Sequence, residues 1–194
     1  MKPLVPIVLA AGASTRMGRP KANLEHGGLS FLEHACARAK QTGFEPVLVV
    51  TGAVDLRLPS GAVEVHNPEW GLGQLCSLQA GLREAVGRAG TVPAALVLTV
   101  DRPLVSAPTV AGLIAAWREA PECLWQPRHA GRSGHPIVYP RAAVSELLRL
   151  APTQSAREVV RAAHWHERRR HLEVDDPGVV QNIDSPADLQ HLDD

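Results

Sequence analysis

The chain has 194 residues, of which 45% are hydrophobic and 21% are charged, as expected for a globular protein with a substantial core. Twenty basic residues balance twenty acidic ones, and this zero net charge argues against a nucleic-acid-binding surface. No apolar run reaches the roughly 18–20 residues of a membrane span, and three widely spaced cysteines favour neither disulfides nor zinc. We therefore expect a cytoplasmic protein that binds neither nucleic acid nor membrane.

Apolar, β-branched runs alternate with helical patterns along the chain. In chain order the predicted elements are strand 4–10, helix 30–43, strands 46–52 and 62–66, helix 73–87, strand 94–100, helix 106–120, strands 123–129 and 135–140, helices 141–150 and 154–164, strand 171–174 and helix 185–192. The prolines of 135–140 place that strand at an edge or a bend. The alternation predicts an α/β fold: one domain over 1–194, with a three-layer, mostly parallel sheet and helices on both faces.

The segment 8–21, VLAAGASTRMGRPK, has the features of a phosphate-binding loop. It follows the first predicted strand, and open α/β sheets bind ligands at the carboxyl ends of their strands. Small residues around Gly12 and Ser14 leave backbone N–H groups accessible. Arg16 then adds a fork of donors and Lys21 a point charge. The spacing fits neither common glycine-rich nucleotide motif, and the alternative is a polar loop with chance basic residues.

Five motifs in order resemble the signature of the MobA-like NTP transferase family, which includes the nucleotidyltransferases of the molybdenum cofactor. They are LAAGASTRMGRPK at 9–21, NPEWGLGQLCSLQAG at 67–81, VDRPLV at 100–105, GRSGHPIVYP at 131–140 and NIDSPADL at 182–189. One such motif would be weak evidence, whereas five in order across nearly the whole chain are strong evidence. The resemblance implies a Rossmann-like nucleotidyltransferase fold, also described as GT-A-like.

The resemblance also implies a reaction, namely transfer of a nucleoside monophosphate from an NTP to a phosphate-bearing acceptor with release of pyrophosphate. The implied acceptor is molybdopterin, and the implied protein partner is a molybdoenzyme or a maturation protein. A phosphate monoester is mostly dianionic near neutral pH, since its second pKa is about 6, so the nucleophile needs no general base. The sequence accordingly shows no obvious Ser-His-Asp or Cys-His arrangement.

The family motifs also imply roles for individual residues. Arg16 should hold the outer phosphates and Lys21 the α-phosphate, so both are catalytic candidates together with Asp101. The other nucleotide-binding candidates are Leu9, Ala10, Ala11, Gly12, Ser14, Gly73 and Ser77. The acceptor-binding candidates are Gly134, His135 and Pro136, for which the alternative is a sheet edge with a tight turn.

Triphosphate chemistry implies Mg²⁺, which prefers a few carboxylates together with phosphate oxygens. Asp101 follows the apolar strand 94–100, so its carboxylate should emerge at the ligand edge of the sheet. Asp184 follows the last predicted strand and precedes a Ser-Pro pair typical of a helix start. Both are predicted metal ligands. The alternatives are a turn residue for Asp101 and a structural acid near a helix start for Asp184.

Ala11 favours CTP over GTP as the nucleotide donor. It resembles the cytidylyl-transferring members of the family, whereas guanylyl-transferring members usually carry a second glycine there. A methyl group at the base-facing backbone would also favour the smaller pyrimidine. Three alternatives stay open: GTP as donor, a sugar phosphate or another small phosphate as acceptor, and a nucleotide or cofactor carrier without turnover.

Two features depart from the family pattern. Arg102 follows Asp101 where the family commonly has Met or another uncharged residue, which leaves open whether this side chain points away, touches phosphate or indicates a different acceptor. The segment 25–34 is looser than the usual polar connection.

Overall fold

The fold is built on an eight-stranded, mostly parallel sheet. It is seen in a computed structural model that describes residues 4–190. The strands are β1 (Leu4–Leu9), β2 (Glu25–His26), β3 (Leu29–Ser30), β4 (Val47–Thr51), β5 (Ala62–His66), β6 (Ala94–Thr99), β7 (Leu124–His129), β8 (Arg132–Ser133), β9 (Ile137–Tyr139) and β10 (Arg169–Glu173). The helices are α1 (Phe31–Lys40), α2 (Gln74–Ala89), α3 (Ala107–Glu119), α4 (Arg141–Leu147), α5 (Arg157–Arg161) and α6 (Pro186–Gln190).

The strand order places β1 and β6 at the centre of the sheet. The order is β10-β7-β9-β6-β1-β4-β5, with β8 paired to β7 and with β2 and β3 forming a separate hairpin. Strand β9 runs antiparallel to β6 and β7, β8 runs antiparallel to β7, and the other pairs of this sheet are parallel. The carboxyl ends of β1 and β6 therefore meet at one edge, where the predicted site lies.

Alternate residues of the central strands β1, β4 and β6 are buried in two different apolar clusters, one on each face of the sheet. Val8 of β1 packs with residues of α1 and α3, whereas Ile7 and Leu9 pack with residues of α2, α4 and α5. Successive side chains of a strand point to opposite faces, so an uninterrupted apolar strand needs helices on both sides. The predicted three-layer α/β fold is confirmed.

Local sequence signals set the start of α1 as predicted. The hydroxyl of Ser30 accepts a hydrogen bond from the backbone N–H of Glu33 at 3.1 Å, and the Glu33 carboxylate accepts one from the backbone N–H of Ser30 at 2.7 Å. This reciprocal pair is a capping box, which satisfies two N–H groups that the first turn leaves unpaired. No helix within residues 4–190 is long and apolar enough to cross a membrane.

Two predicted elements differ from the structure, and the end of a third lies outside the described residues. The strand expected at an edge or bend over 135–140 is β9, which lies inside the sheet between β6 and β7. Pro136 and Pro140 flank β9, so neither removes a donor from its ladder. The helix expected over 154–164 is shorter, since α5 covers only Arg157–Arg161. Residues 191 and 192 of the last predicted helix lie outside the described residues.

Gly81 allows α2 to pack closely on the sheet, and replacing it by alanine is expected to destabilise the fold. A Cβ at this position would lie 2.9 Å from methyl carbons of Ile7 and Val50. We expect Gly81→Ala to lower the free energy of unfolding by about 1–3 kcal/mol through overpacking. Gly87→Ala in the same helix is the matched control, because no heavy atom lies within 4 Å of its Cβ position. It should stabilise by up to about 1 kcal/mol. Urea unfolding measures the free energy of unfolding of both variants. Equal values for Gly81→Ala and Gly87→Ala would contradict the packing argument.

Candidate functional site

A cavity of about 430 Å³ opens at the carboxyl ends of β1 and β6. Every nucleotide-binding and metal-ligating residue predicted from the sequence lines it: Leu9, Ala10, Ala11, Gly12, Ser14, Arg16, Lys21, Gly73, Ser77, Asp101 and Asp184. Its volume lies in the range of small-molecule sites, about 300–1,000 Å³. The structure therefore brings the first loop, the start of α2 and the residues after β6 and before α6 to one place. We call it the nucleotide cavity.

A hydrogen bond within the loop after β1 holds the two ends of its basic segment together. Ser14 adopts a left-handed conformation with φ of 55°, and its hydroxyl accepts a hydrogen bond from the backbone N–H of Lys21 at 3.0 Å. This contact joins the two ends of the segment that carries Arg16. The loop is thus held in a curved form that turns both cations toward the cavity.

Two cations meet one carboxylate at the mouth of the loop. The ammonium of Lys21 donates to the Oδ1 atom of Asp184, and Nη2 of Arg16 lies 3.7 Å from its Oδ2 atom. The Lys21 side chain is only 12% exposed, whereas that of Arg16 is 76% exposed. The hydrogen bond from Lys21, assisted by the Lys21 and Arg16 charges, holds the pKa of Asp184 below its ordinary value. Asp184 is therefore ionised at neutral pH, as a metal ligand must be.

Asp101 and Asp184 are held next to each other by the backbone. The Oδ1 atom of Asp101 accepts a hydrogen bond from the Thr99 hydroxyl at 2.5 Å. The backbone carbonyl oxygen of Asp101 accepts a hydrogen bond from the backbone N–H of Ile183 at 2.9 Å. This contact brings Asp184 to the end of β6. The Asp188 carboxylate in turn accepts the backbone N–H of Asp184 at 2.9 Å. These contacts orient two carboxylates toward the same cavity.

The two carboxylates fit a magnesium ion that is also bound by phosphate. Mg²⁺ in such sites takes one or two carboxylates and completes its shell with phosphate and water oxygens. Residues 4–190 contain no cluster of three or more His, Cys, Asp or Glu side chains that could hold a metal. The donor set therefore matches a metal that arrives with a triphosphate better than a permanently bound ion.

The start of α2 and the turn before it, which contains Trp70, form another wall of the cavity. Asn67 is buried, and its Nδ2 atom donates to the Ser77 hydroxyl at 3.1 Å. The proton of Ser77 is therefore left for an acceptor other than Asn67. A Cβ at Gly52 would lie 2.7 Å from Cβ of Trp70 and 3.0 Å from Cβ of Ala11. The glycine thus lets Trp70 and Ala11 close over the backbone beside the cavity.

The predicted acceptor residues lie apart from the nucleotide cavity. Gly134 and His135 line a neighbouring cavity of about 620 Å³, whereas Pro136 contacts only a small void beside His135. Gly134 has no room for a side chain, because a Cβ would lie 2.0 Å from the carbonyl oxygen of Val179. The same oxygen accepts the backbone N–H of His135 at 2.9 Å. This turn is therefore fixed against the segment after β10.

Arg102 turns away from the nucleotide cavity. Its Nη1 atom donates to the carbonyl oxygen of Val179 at 2.5 Å, and the side chain lines the neighbouring cavity with His135. Burial lowers the pKa of Arg102, although the guanidinium stays charged at neutral pH. The residue that departs from the family pattern thus faces the second cavity, while Asp101 before it faces the first.

His135 is expected to make folding stability depend on pH. Burial lowers its pKa from 6.5 to about 4, with a further contribution from the Arg102 charge, and its buried Nδ1 atom has no hydrogen-bond partner among the described residues. Between these two pKa values the unfolded chain binds more protons than the folded one. The free energy of unfolding should therefore fall as pH drops from about 6.5 to about 4, by up to about 1.4 kcal/mol per pH unit. Thermal unfolding of the wild type and His135→Asn at pH 7 and pH 5 measures this, and an equal decrease in both would contradict it.

Some lining residues were not identified from the sequence. They are Thr15, Trp70, Gly71, Gln74, Thr99 and Val100 in the nucleotide cavity, and Arg157, Arg161 and Arg169 in the second cavity. Thr99 and Val100 directly precede Asp101 at the end of a predicted strand, so their position was a usable signal. The three arginines lie in a polar stretch with many basic residues, and no spacing there distinguishes them.

The chain is similar to known proteins over most of its length. Residues 6–171 match the family described as "MobA-like NTP transferase domain". A "Probable molybdenum cofactor guanylyltransferase" of Rhodopirellula baltica is 30% identical, over 96% of this chain and 90% of that protein. A "Bifunctional protein GlmU" of Anaeromyxobacter dehalogenans is 34% identical over 61% of this chain, but the match covers only 26% of that longer protein.

A solved structure of a "Mycobacterium tuberculosis rv0371c homolog" from Mycobacterium sp. strain JC1 has a similar fold. Its TM-score is 0.75 at 25% identity, over 97% of this chain and 94% of that one. The sequence match covers most of the chain, and the structural match extends over nearly all of it. The chain therefore belongs to the MobA-like NTP transferase domain family.

Proposed function

We propose that this chain transfers a nucleoside monophosphate, with CTP as the favoured donor, to the phosphate of molybdopterin and releases pyrophosphate, acting in the cytoplasm. The observation that carries this proposal is the nucleotide cavity itself. Two cations from one loop and two carboxylates from distant segments converge there beside a backbone that is open to a ligand. Family membership supports nucleotidyl transfer, and the name of the Rhodopirellula baltica relative supports a molybdenum cofactor acceptor.

The chain's own residues would perform three tasks in this reaction. Lys21, already directed at the carboxylate of Asp184, would bind the α-phosphate, where negative charge increases as the acceptor oxygen attacks. Arg16 is largely exposed, so the outer phosphates can draw it from Asp184 without disturbing the core. The acceptor oxygen forms the new bond to the α-phosphorus, and the bond to the β-phosphate breaks with its electron pair leaving on pyrophosphate.

Asp101 and Asp184 would hold a magnesium ion together with the triphosphate oxygens. Their carboxylates satisfy the preference of Mg²⁺ for hard oxygen ligands. When bound, such an ion neutralises charge on the transferred and leaving phosphates. Thr99 would keep the Asp101 carboxylate in its orientation through the 2.5 Å hydrogen bond.

Ala11 is the reason for favouring CTP, while the curated relatives favour GTP as the second candidate. Molybdenum cofactor guanylyltransferases from Rhodopirellula baltica and Xanthomonas euvesicatoria are among the similar proteins. Ala11 itself is only 5% exposed and lies next to Gly52, against which Trp70 packs. Its methyl group would therefore act on base choice through the position of Trp70 rather than by direct crowding of the base.

Pyrophosphate release tests the proposal directly. Folded protein is supplied with Mg²⁺, molybdopterin and, in parallel, CTP, GTP, ATP or UTP. Release with CTP alone is the expected result, and release with GTP alone would select the second candidate. Pyrophosphate release with a sugar phosphate but not with molybdopterin would show that the acceptor is a sugar phosphate. Nucleotide binding without release under any of these conditions would indicate a carrier and refute the transferase.

Replacing Ala11 by glycine is expected to move the donor preference toward GTP. Without this methyl group, Trp70 would be packed less tightly beside the cavity. Its side chain could then shift and leave room for a larger base. We expect the ratio of kcat/KM for CTP to that for GTP to fall about tenfold, the effect of about one methyl group in a specific pocket. Steady-state pyrophosphate release with each nucleotide measures the ratio. An unchanged ratio would remove Ala11 as the determinant.

A further inference from the structure

The cavity of about 620 Å³ beside the nucleotide cavity has a strongly positive lining. The two cavities share Leu9 and Gln74 in their walls, so a ligand in the second can reach a nucleotide in the first. Four arginines line it, Arg102, Arg157, Arg161 and Arg169, and none of its lining residues within 4–190 is an acid. We call it the arginine cavity.

This clustering of cations carries a mutual repulsion that an anion in the cavity would relieve. Arg157 and Arg161 lie four positions apart on α5, a spacing at which like charges on a helix repel. Arg169 of β10 adds a third charge to the same cavity. The surface of this balanced chain offers ample acidic residues, so their absence from the cavity lining is a property of the site rather than of the composition.

The four guanidinium groups divide into two held by the backbone and two available for a ligand. Arg102 donates to the carbonyl oxygen of Val179 at 2.5 Å, and Arg169 donates to that of Val160 at 3.2 Å. Within residues 4–190, the guanidinium groups of Arg157 and Arg161 make no hydrogen bond or ion pair with another residue. Each presents five donors in a fork that matches a phosphate group.

The remaining walls fit a ring system rather than a small sugar. Apolar side chains of Leu75, Leu78, Val97 and Ile137 supply one surface. Gln126 and Tyr139 add polar groups at the sheet, and burial raises the pKa of Tyr139, so its hydroxyl keeps its proton. The volume is within the range that encloses drug-sized molecules. A short phospho-alcohol would leave most of this space unfilled.

We infer that the arginine cavity binds the acceptor of the proposed transfer, as a phosphate monoester of a bulky heterocyclic ring system, and that Arg157 and Arg161 bind its anionic groups. The inference rests on the proposed function for the direction of the acceptor toward the nucleotide. It assigns two residues that the family motifs do not single out. The turn at Gly134 and His135 would form the fixed wall of the same site.

Kinetics of the double variant Arg157→Gln/Arg161→Gln test the assignment. We expect KM for molybdopterin to rise about 10- to 100-fold, because charge-assisted hydrogen bonds are lost, while KM for the nucleotide stays within about twofold. The matched control is Arg149→Gln/Arg168→Gln, which removes the same charge from exposed positions outside the cavity. Equal effects of the two double variants, or an unchanged KM for molybdopterin, would overturn the inference.

A binding measurement keeps this test separate from the proposed function. The probe is 6-hydroxymethylpterin phosphate, followed by its own fluorescence, with unphosphorylated 6-hydroxymethylpterin and inorganic phosphate as competitors. We expect the phosphorylated pterin to bind the wild type at least about tenfold more tightly than the Arg157→Gln/Arg161→Gln variant, and neither competitor to displace it efficiently. Failure of the probe to bind the wild type would overturn the inference, as would efficient displacement by inorganic phosphate. If the probe binds in an arginine-dependent way but no pyrophosphate is released in the activity assay, the proposed function is refuted. The assignment of the arginine cavity as a binding site for a phosphorylated ring system would then still stand.

Discussion

Lys21→Ala is expected to lower kcat/KM about 100- to 1,000-fold, the usual cost of removing one preorganised donor from a developing negative charge. The ammonium of Lys21 is 12% exposed and already paired with Asp184, so it is positioned before the nucleotide binds. Neutral alanine offers the α-phosphate no replacement. Pyrophosphate release with Mg²⁺, CTP and molybdopterin measures the loss.

The stability of the Lys21→Ala variant separates a catalytic role from a structural one. The Lys21 side chain is mostly buried and ion-paired, whereas its partner Asp184 is 30% exposed. Because Asp184 is in contact with solvent and keeps Arg16 at 3.7 Å when Lys21 is removed, we expect the free energy of unfolding to fall by only about 1 kcal/mol, which lowers the Tm by about 2–4 °C. Lys40→Ala is the matched control, because Lys40 is exposed and its ammonium donates to the carbonyl oxygen of Ser60, outside the nucleotide cavity. Full activity of the Lys21→Ala variant would refute the catalytic role of Lys21. An equal loss of activity in Lys21→Ala and Lys40→Ala would refute it as well.

Asp101→Asn is expected to abolish metal-dependent turnover, with a loss of about 100-fold or more. Its amide oxygen can still accept the hydrogen bond from Thr99, so the local structure should persist. The negative charge that a divalent cation requires is removed. Initial rates are measured across a Mg²⁺ titration, and Mn²⁺ binding in the presence of CTP gives a readout that does not need turnover.

The control for this variant is Asp175→Asn, since the Asp175 side chain is fully exposed and lies outside the nucleotide cavity. It should bind Mn²⁺ and turn over like the wild type. Retained Mn²⁺ affinity in Asp101→Asn would remove Asp101 from the metal site. A variant that binds Mn²⁺ weakly but reacts normally at every Mg²⁺ concentration would show that the carboxylate is dispensable for the reaction.

The parallel part of the fold was predictable because its signals are local. Apolar strands such as β1 and β6 differ sharply from the flanking helical patterns, and the Ser30–Glu33 capping box identifies the start of α1 directly. The site candidates came from motifs at strand ends, where topology alone brings residues together. That is why one cavity contains Lys21 and Asp184 although they are 163 positions apart in sequence.

The errors arose where long-range packing decides the outcome. The prolines around β9 suggested an edge, yet they flank a strand whose ladder partners are β6 and β7, which local sequence does not specify. Helix α5 is short because Ala162 has an extended backbone that ends it, with no proline or glycine to indicate the stop. The arginine cavity was not predictable, because Arg157 and Arg169 meet only through the packing of α5 against the sheet.

The ion pair of Lys21 with Asp184 joins positions 163 residues apart, and the hydrogen bond from Ile183 to Asp101 joins the last segment to β6. Contacts of such sequence separation form only after the chain between them has been ordered, because the entropy of closing that loop must first be offset. The nucleotide that we propose to bind Lys21, Asp101 and Asp184 together would therefore bind the fully folded molecule and not a partly folded one. At 100 times its Kd this selective binding adds about 2.7 kcal/mol to stability. On this proposal, a sufficient supply of nucleotide would protect fully folded molecules from unfolding, while partly folded chains would gain no protection.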